Sequence, residues 1–465
     1  MGVARTLTAL RHAVFWPKGQ NLFYRPARML PHPTRRRQGS KALFTLIALA
    51  SVFVPAPAPA AEDLTLAHVV RLALARNERS RIADLGVVSA NAAVDRARAA
   101  FLPTITLGAS DTVRPYSDEQ NGRTVVRAQA ASGSVTAVQP LVAIPAYPIY
   151  AASKHTRESA RYDRVDLRRL LTFDAAKAFF GAVTQQRLVT AAERRLQRAE
   201  ASLNDTRARA LAQLVSTNDV TRAQVERAAA LQSVNAARAS LEQARIGLEY
   251  IVDAPVTPTL RPPDERRAPP TLDVAHLTHQ ALVQRPDLAS AREDVTAASL
   301  LADEPALRFV PTLNAAAQAR LADQAIAGDR YLDTTLTFNL TWTIWDAGIR
   351  SSDGDARRAT AEVTDLQTRA LRRRVQADVR SAIVSLTAAR TAATIAEEAV
   401  EAARRSADET QVLYNQGLAK AIELINANLT RFEAEVGLAA AYLGLRQAEL
   451  DLRAAIGLFP IDGIQ

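Results

Sequence analysis

The chain contains no cysteine. That absence excludes disulfides, thiolate metal sites, a cysteine nucleophile and a lipidated N-terminal cysteine, so any hold on a membrane must come from the fold itself. Residues 1–60 lack Asp and Glu yet hold nine Lys and Arg. The net charge of +10 is therefore local: beyond residue 60 the chain carries 49 Lys/Arg against 48 Asp/Glu. A nearly neutral body removes the main electrostatic argument for nucleic-acid binding, and no nucleic-acid partner is expected. No GxSxG, P-loop, HExxH or paired-carboxylate signature stands in a recognisable context, so the chain is not read as an enzyme.

What is present begins with an export signal. Arg35–Arg37 and Lys41 precede the apolar run ALFTLIALASVFV (42–54), then PAPAPAA with small residues at Ala58 and Ala60. This order marks residues 1–60 as a secretory signal peptide, cleaved before Ala61. The run is too short for a transmembrane helix of ~20 residues. Residues 1–28 are long for a basic leader, so the start is expected at Met29. The flanking pattern of a twin-arginine signal is missing around Arg35–Arg37. With 465 residues, 48% hydrophobic and 23% charged, the chain has ample material for a core and length for two or three domains.

The body is written twice. LTLAHVVRLALARN (64–77) matches LDVAHLTHQALVQR (272–285), and AFLPTITL (100–107) matches RFVPTLNA (308–315), both at an offset of 208 residues. DAAKAFF (174–180) matches DVRSAIV (378–384), and QLVSTNDVTRAQV (213–225) matches GLAKAIELINANL (417–429), at an offset of 204. The expected repeats are 61–253 and 272–457, joined by the Pro-rich linker 254–271 and followed by a tail, 458–465. His276 and His279 could put two ligands on one helix face, but His68 occupies the same repeat position as His276 and nothing nearby completes a set; no metal site or cofactor is expected.

Each copy reads as helix, β-hairpin, long helical hairpin. A single helix is expected over 65–100. TITLGASDTV (104–113), ASGSVTAVQPL (131–141), TLNAAAQARL (312–321) and TTLTFNLTWTI (334–344) alternate with a period of two, as strands between unlike environments do. PYSDEQNGR (115–123) and LADQAIAGDRY (321–331) read as polar loops, the whole connection between strands being shorter in the second copy. In 336–348, LTFNLTWTIWDAG, the expected lipid-facing residues are Leu336, Phe338, Leu340, Trp342 and Ile344. Thr337, Asn339, Thr341 and Thr343 are expected to face a lumen. Strands of about ten residues suit tilted membrane spans. Four strands cannot close a barrel, whereas three chains supply twelve, so a homotrimer in outer-membrane lipid is expected. The helices are expected at 150–210, 216–252, 351–414 and 420–456. Ala230, Val234, Ala237, Leu241, Ala244, Leu248 and Ile251 step by four and three residues. Their counterparts Ala434, Leu438, Ala441, Leu445, Ala448, Leu452 and Ala455 do the same, which fits coiled-coil packing.

LALARN and ALVQRPDL (281–288) open the repeats, and FLPT and FVPT lead into strands. QPL (139–141) and IWDAG (344–348) close the hairpins, and STNDV (216–220) and NQGLAKAIEL (415–424) form the tips. In that order, and duplicated, these segments resemble the TolC-like outer-membrane factor family over residues 62–459. The resemblance implies a mainly α fold with a small β part: a trimeric 12-stranded β-barrel continued by a periplasmic α-helical barrel. It implies location in the cell outer membrane with most of the mass in the periplasm. It also implies passive conduction of small molecules, in partnership with a periplasmic adaptor (membrane fusion) protein and an inner-membrane pump. A conduit for type I protein secretion and a periplasmic coiled-coil adaptor or scaffold are the alternatives.

The resemblance further implies a periplasmic gate at the helical tips. Asp219 matches the acidic residue of the first tip, and Tyr414 the tyrosine that bonds to it. Glu423 takes the position of the first aspartate ring. Lys420 stands beside Ala419, where the family has its gating arginine, and Asn426 replaces the second ring aspartate. Three Glu423 carboxylates at one narrow mouth would favour cations. The tips Gln213, Leu214, Gly417 and Leu418 are the expected adaptor-docking surface, and Gln213 against Gly417 is expected to make the first tip turn differently.

Overall fold

The computed structural model describes residues 64–120, 123–126, 128–256, 259–262, 273–323 and 331–461; the assigned signal peptide lies outside them. Each copy opens with two helices, not one. In the first copy these are α1 (Leu66–Arg76) and α2 (Glu78–Ala99), preceded by the short strand β1 (Leu64–Thr65). The break is Asn77, whose backbone turns extended (ψ 133°) while its side-chain oxygen caps α2 by accepting from the Arg79 amide at 3.0 Å. An Asn that offers its own cap competes with helix continuation. The second copy breaks 208 residues on, at Arg285 (ψ 121°), by different chemistry: Pro286 excludes the helical conformation from the residue before it. Helices α5 (Val274–Gln284) and α6 (Pro286–Leu307) result. The linker is partly tied down, since β6 (Leu260–Arg261) pairs in parallel with β1.

The strands are β2 (Thr104–Val113) and β5 (Gln129–Val142) in the first copy, β7 (Thr312–Ala322) and β8 (Leu332–Thr341) in the second. In the connection from β2 to β5, where 115–123 reads as a loop, β3 (Asp118–Gln120) pairs with β4 (Arg123–Val126) as a small extra hairpin. Residues 324–330 of the second loop lie outside the described residues. The four long strands form one antiparallel sheet in the order β2-β5-β7-β8, so the two copies meet at the β5–β7 ladder.

Helix α3 (Ala146–Leu211) has 66 residues and α7 (Ile349–Asn415) has 67, returning as α4 (Thr217–Val252) and α8 (Ala421–Ile456), each of 36. At 1.5 Å per residue the longer pair spans about 100 Å. The seven-residue seam of α4 packs on α3: Ala230, Val234, Leu241 and Leu248 are buried, and Ala237, Ala244 and Ile251 half-buried. In α8, Ala448, Leu452 and Ala455 are buried, and Ala434, Leu438, Ala441 and Leu445 half-buried. The core lies where the short helices meet the long ones. Val69, Val70, Ala73, Phe179, Leu248 and Val252 form one cluster, and Leu277, Leu288, Val375, Val379, Leu386 and Leu452 the other. Leu450 of α8 joins the first cluster, which ties the copies together. Truncating Phe179, fully buried, would cost about 3–5 kcal/mol.

Charges lock the same junction. Arg169, 2% exposed, binds Asp166 at 2.6 Å and donates to the Ala454 carbonyl at 2.8 Å. Arg285 grips Asp287 with two nitrogens (3.0 and 2.7 Å) and donates to the Ala455 carbonyl. Burial alone would raise the Asp287 carboxyl; the Arg285 guanidinium outweighs that and holds it below the ordinary value.

Candidate functional site

The first candidate is the sheet. Its register sorts side chains by polarity across all four strands. Leu107, Val135, Ala319 and Thr334 fall in one row of pairs, and Ile105, Ala137, Ala317 and Leu336 in the next. Leu313, Leu321, Leu332, Phe338 and Leu340 share that face. The opposite face holds Thr104, Thr106, Ser110, Ser132, Ser134, Thr136, Asn314, Gln318, Thr335, Thr337 and Asn339. Hydroxyls bond along it, Ser110 to Ser132 at 3.0 Å. Within the strands, Asp111 is the one charge on the apolar face; it sits toward the loop end, accepting from Gln129 Nε2 at 2.8 Å. In the single chain the apolar face is bare: Leu336 is 66% exposed and Phe338 63%. An apolar face of this extent marks a surface meant to meet another protein or lipid.

The strand reading of 336–348 needs one correction. β8 ends at Thr341, so Trp342, Thr343 and Ile344 lie past the sheet. The reason is the partner. Thr341 pairs with Thr312, the first residue of β7, and Pro311 before it has no N–H to extend the ladder. Trp342 turns its indole N–H to the Phe309 carbonyl at 3.0 Å, at the junction of sheet and helices. Trp342, Ile344 and Trp345 are all exposed there, beside Phe309.

The second candidate is the pair of tips. Gln213 (φ +62°) and Gly417 (φ +76°) are both left-handed, and both turns close alike: the Leu214 amide donates to Arg209, and that of Leu418 to Leu413, each at 2.9 Å. The expected difference between the tips is absent. The closing hydrogen bonds of this helix stop fix the backbone, and Gln213 bears the strain that Gly417 avoids. Leu214 and Leu418 are each 73% exposed.

The expected bond between Tyr414 and Asp219 is also not made. Asp219 is the third residue of α4, and its carboxylate accepts from the Ser216 amide (3.2 Å) and hydroxyl (3.0 Å). Ser216 in turn accepts from the Asp219 amide, a reciprocal cap. Glu423 holds the same place in α8, accepting from the Lys420 amide at 3.2 Å. Both carboxylates meet the positive end of a helix. Tyr414 is instead buried, 3% exposed. Its hydroxyl shares a hydrogen bond with Thr206 (3.2 Å), its carbonyl accepts from Arg209 Nη1 (3.0 Å), and the Arg209 guanidinium lies over its ring at 4.4 Å. Thr206 and Arg209 were missed from sequence. Their one signal is a mismatch between copies: Tyr414 stands where the first copy has Ala210, and Arg209 where the second has Leu413. Asn426 follows Glu423 by one turn on α8. Among the described residues no group of three His, Cys, Asp or Glu could share a metal ion.

An amphiphilic sheet carried on two long helical hairpins is the fold of the TolC-like outer-membrane channels, mainly helical with a small sheet. Residues 277–458 match the Outer membrane efflux protein family. The chain is similar to the CmeC outer membrane channel of Campylobacter jejuni (TM-score 0.75, 15% identity, 84% of this chain and 85% of that one). It is similar also to the outer membrane protein VceC of Vibrio cholerae (0.72, 15%, 85% and 97%). The open state of the MtrE outer membrane channel of Neisseria gonorrhoeae matches at 0.70, with 18% identity over 84% and 89%. No curated protein matches the chain by sequence.

Proposed function

We propose that the protein is the outer-membrane subunit of a tripartite efflux system. Three chains form a closed twelve-stranded barrel, through which small molecules pass passively from an inner-membrane pump and periplasmic adaptor to the exterior. The observation that carries this reading is the four-stranded sheet with one bare apolar face, one hydroxyl-lined face and two open edges. Such a sheet cannot stand alone in water, and lipid accepts it only once closed. Residues 1–60 fit the export the reading needs. In the barrel Leu336, Phe338 and Leu340 face lipid, while Thr337, Asn339 and Thr341 face the lumen. Trp342, Ile344 and Trp345 sit at the membrane boundary, where amphipathic aromatic rings collect.

The tips form the periplasmic mouth. Glu423, Asp219, Lys420 and Asn426 border it, and Tyr414 braces it from within. The exposed leucines Leu214 and Leu418, with Gln213 and Gly417, dock the adaptor. The test is conductance of the purified protein in a planar bilayer, with its mass measured in detergent. Discrete conductance from a trimer is expected. A monomer that stays soluble without detergent and leaves the bilayer silent would overturn the reading.

A further inference from the structure

The sheet has two long free edges, β2 and β8, each of ten residues, with no proline and no bulge against its inner neighbour. Folds that mean to keep an edge unpaired shorten, kink or charge it. Apart from one carboxylate each, Asp111 and Asp333, these edges do none of that, and the internal repeat says how they fit one another. The ladder β2–β5 maps onto β7–β8 when β2 is shifted by 208 residues and β5 by 203: Thr104 opposite Val138 becomes Thr312 opposite Thr341. The join between the copies, β5–β7, has its own register, Ser132 opposite Ala322 and Thr136 opposite Gln318.

From this we infer that β8 pairs with β2 of a second copy of this chain in the register of β5–β7, which sets Asn339 opposite Ser110 of the partner subunit. The inference rests on the barrel proposed above and adds its subunit register. The same shifts put Leu340 opposite Ala109 of the partner subunit, and Thr335 opposite Arg114 of the partner subunit. The register keeps both faces continuous across the join, as any register that preserves the ladders of the repeat must. Leu340 and Ala109 both belong to the apolar face, and Asn339 and Ser110 both to the hydroxyl face. A slip of one residue would set each apolar side chain beside a polar one, because strand side chains alternate with a period of two. Arg114 also comes to stand diagonal to Asp333, within reach of a long side chain. Both are exposed in the single chain.

Engineered disulfides test this cleanly, because the chain has no cysteine of its own. Within one chain Ser110 and Asn339 lie three strand spacings apart and are also far offset along the strands, so they are separated by more than about 14 Å, whereas a disulfide needs Cα atoms within about 7 Å. A bond between them therefore joins two copies. In the full chain in detergent, oxidised S110C/N339C is expected to run as covalent dimer and trimer. S110C/T337C and S110C/T341C, which keep the face but slip by two residues, should give several-fold less. Stronger cross-linking in either slipped pair would overturn the register while leaving the barrel in place. A trimer by mass that none of the three pairs cross-links would show that these edges do not meet. A monomer by mass would instead bring down the conduit itself. Independently, R114D should weaken the trimer and R114D/D333R restore it; a swap that restores nothing counts against the diagonal pair.

Discussion

Exchanging Gln213 and Gly417 isolates how the tips are built. Both residues occupy the left-handed region, at φ +62° and +76°, and both turns close with the same 2.9 Å hydrogen bond. A residue with a Cβ costs about 1–2 kcal/mol in that region. Glycine avoids the cost but loses more freedom on folding, by roughly 0.5–1 kcal/mol. The difference leaves about 0.5–1 kcal/mol in favour of glycine at each site. A Cβ at Gly417 would meet nothing within 4 Å, so Gly417→Gln adds the backbone term and no clash. The change is too small and too local to read in global unfolding of a large assembly. Amide hydrogen exchange at the tip resolves it, because loop ends open by local fluctuation. Gly417→Gln should speed exchange of the Leu418 amide by about two- to fivefold, and Gln213→Gly should slow that of Leu214 by a similar factor. Equal exchange in parent and both variants, or slower exchange in Gly417→Gln, would refute the argument that Gln213 is strained.

Tyr414→Phe removes the hydroxyl that ties α7 to Thr206 of α3 and should destabilise the tip by about 1 kcal/mol, read as faster exchange there; Thr206 keeps its bond to the Ser202 carbonyl, so no hydroxyl is stranded. For Asp287, whose carboxyl is held low in the folded protein, the contribution to stability is in place above about pH 4 and is lost as pH falls through the lowered folded value. Asp287→Asn should cost about 1.5–3 kcal/mol at neutral pH and flatten the fall in melting temperature below pH 4; parallel pH profiles would argue against it. Glu423→Gln keeps an oxygen for the Lys420 amide and so spares the cap, while removing one charge per chain from the proposed mouth. It should weaken block of the channel by multivalent cations, and unchanged block would place the constriction elsewhere.

The fold was legible because its signals are long and doubled. A period of two over ten residues and a four-three seam over seven positions each outlast local accidents, and their recurrence at 208 and 204 residues removes most ambiguity. The misses are short-range contests. Nothing in the period of 65–100 announces that Asn77 will spend its side chain on a cap. Nothing in the alternation through Trp342 and Ile344 shows that β7 starts at Thr312 and leaves them without a partner. The tip failed for a related reason. Motif position places Asp219 near Tyr414, but whether a carboxylate reaches a neighbouring helix or its own helix start is decided by distances of a few ångström. Ser216, three residues before Asp219, settles it locally.

The two copies carry this further, because they solve equal geometry with unequal residues. Asn77 and Arg285 break the same helix by a side-chain cap and by a following proline. Gln213 and Gly417 make the same turn with and without strain. Asp219 and Glu423 cap the same helix with side chains of different length. Where backbones agree and side chains differ, the tertiary template has set the shape and the residue has adapted to it. Tyr414 is the opposite case: its counterpart Ala210 cannot reproduce the contacts with Thr206 and Arg209. The tip is thus twofold in backbone and one-sided in side-chain bracing. If the mouth opens by parting α3 from α7, the resistance lies on the Tyr414 side, and Tyr414→Phe should raise the open fraction of the channel while Ala210→Ser leaves it unchanged. Equal effects from the two substitutions would mean that the bracing is not where the movement starts.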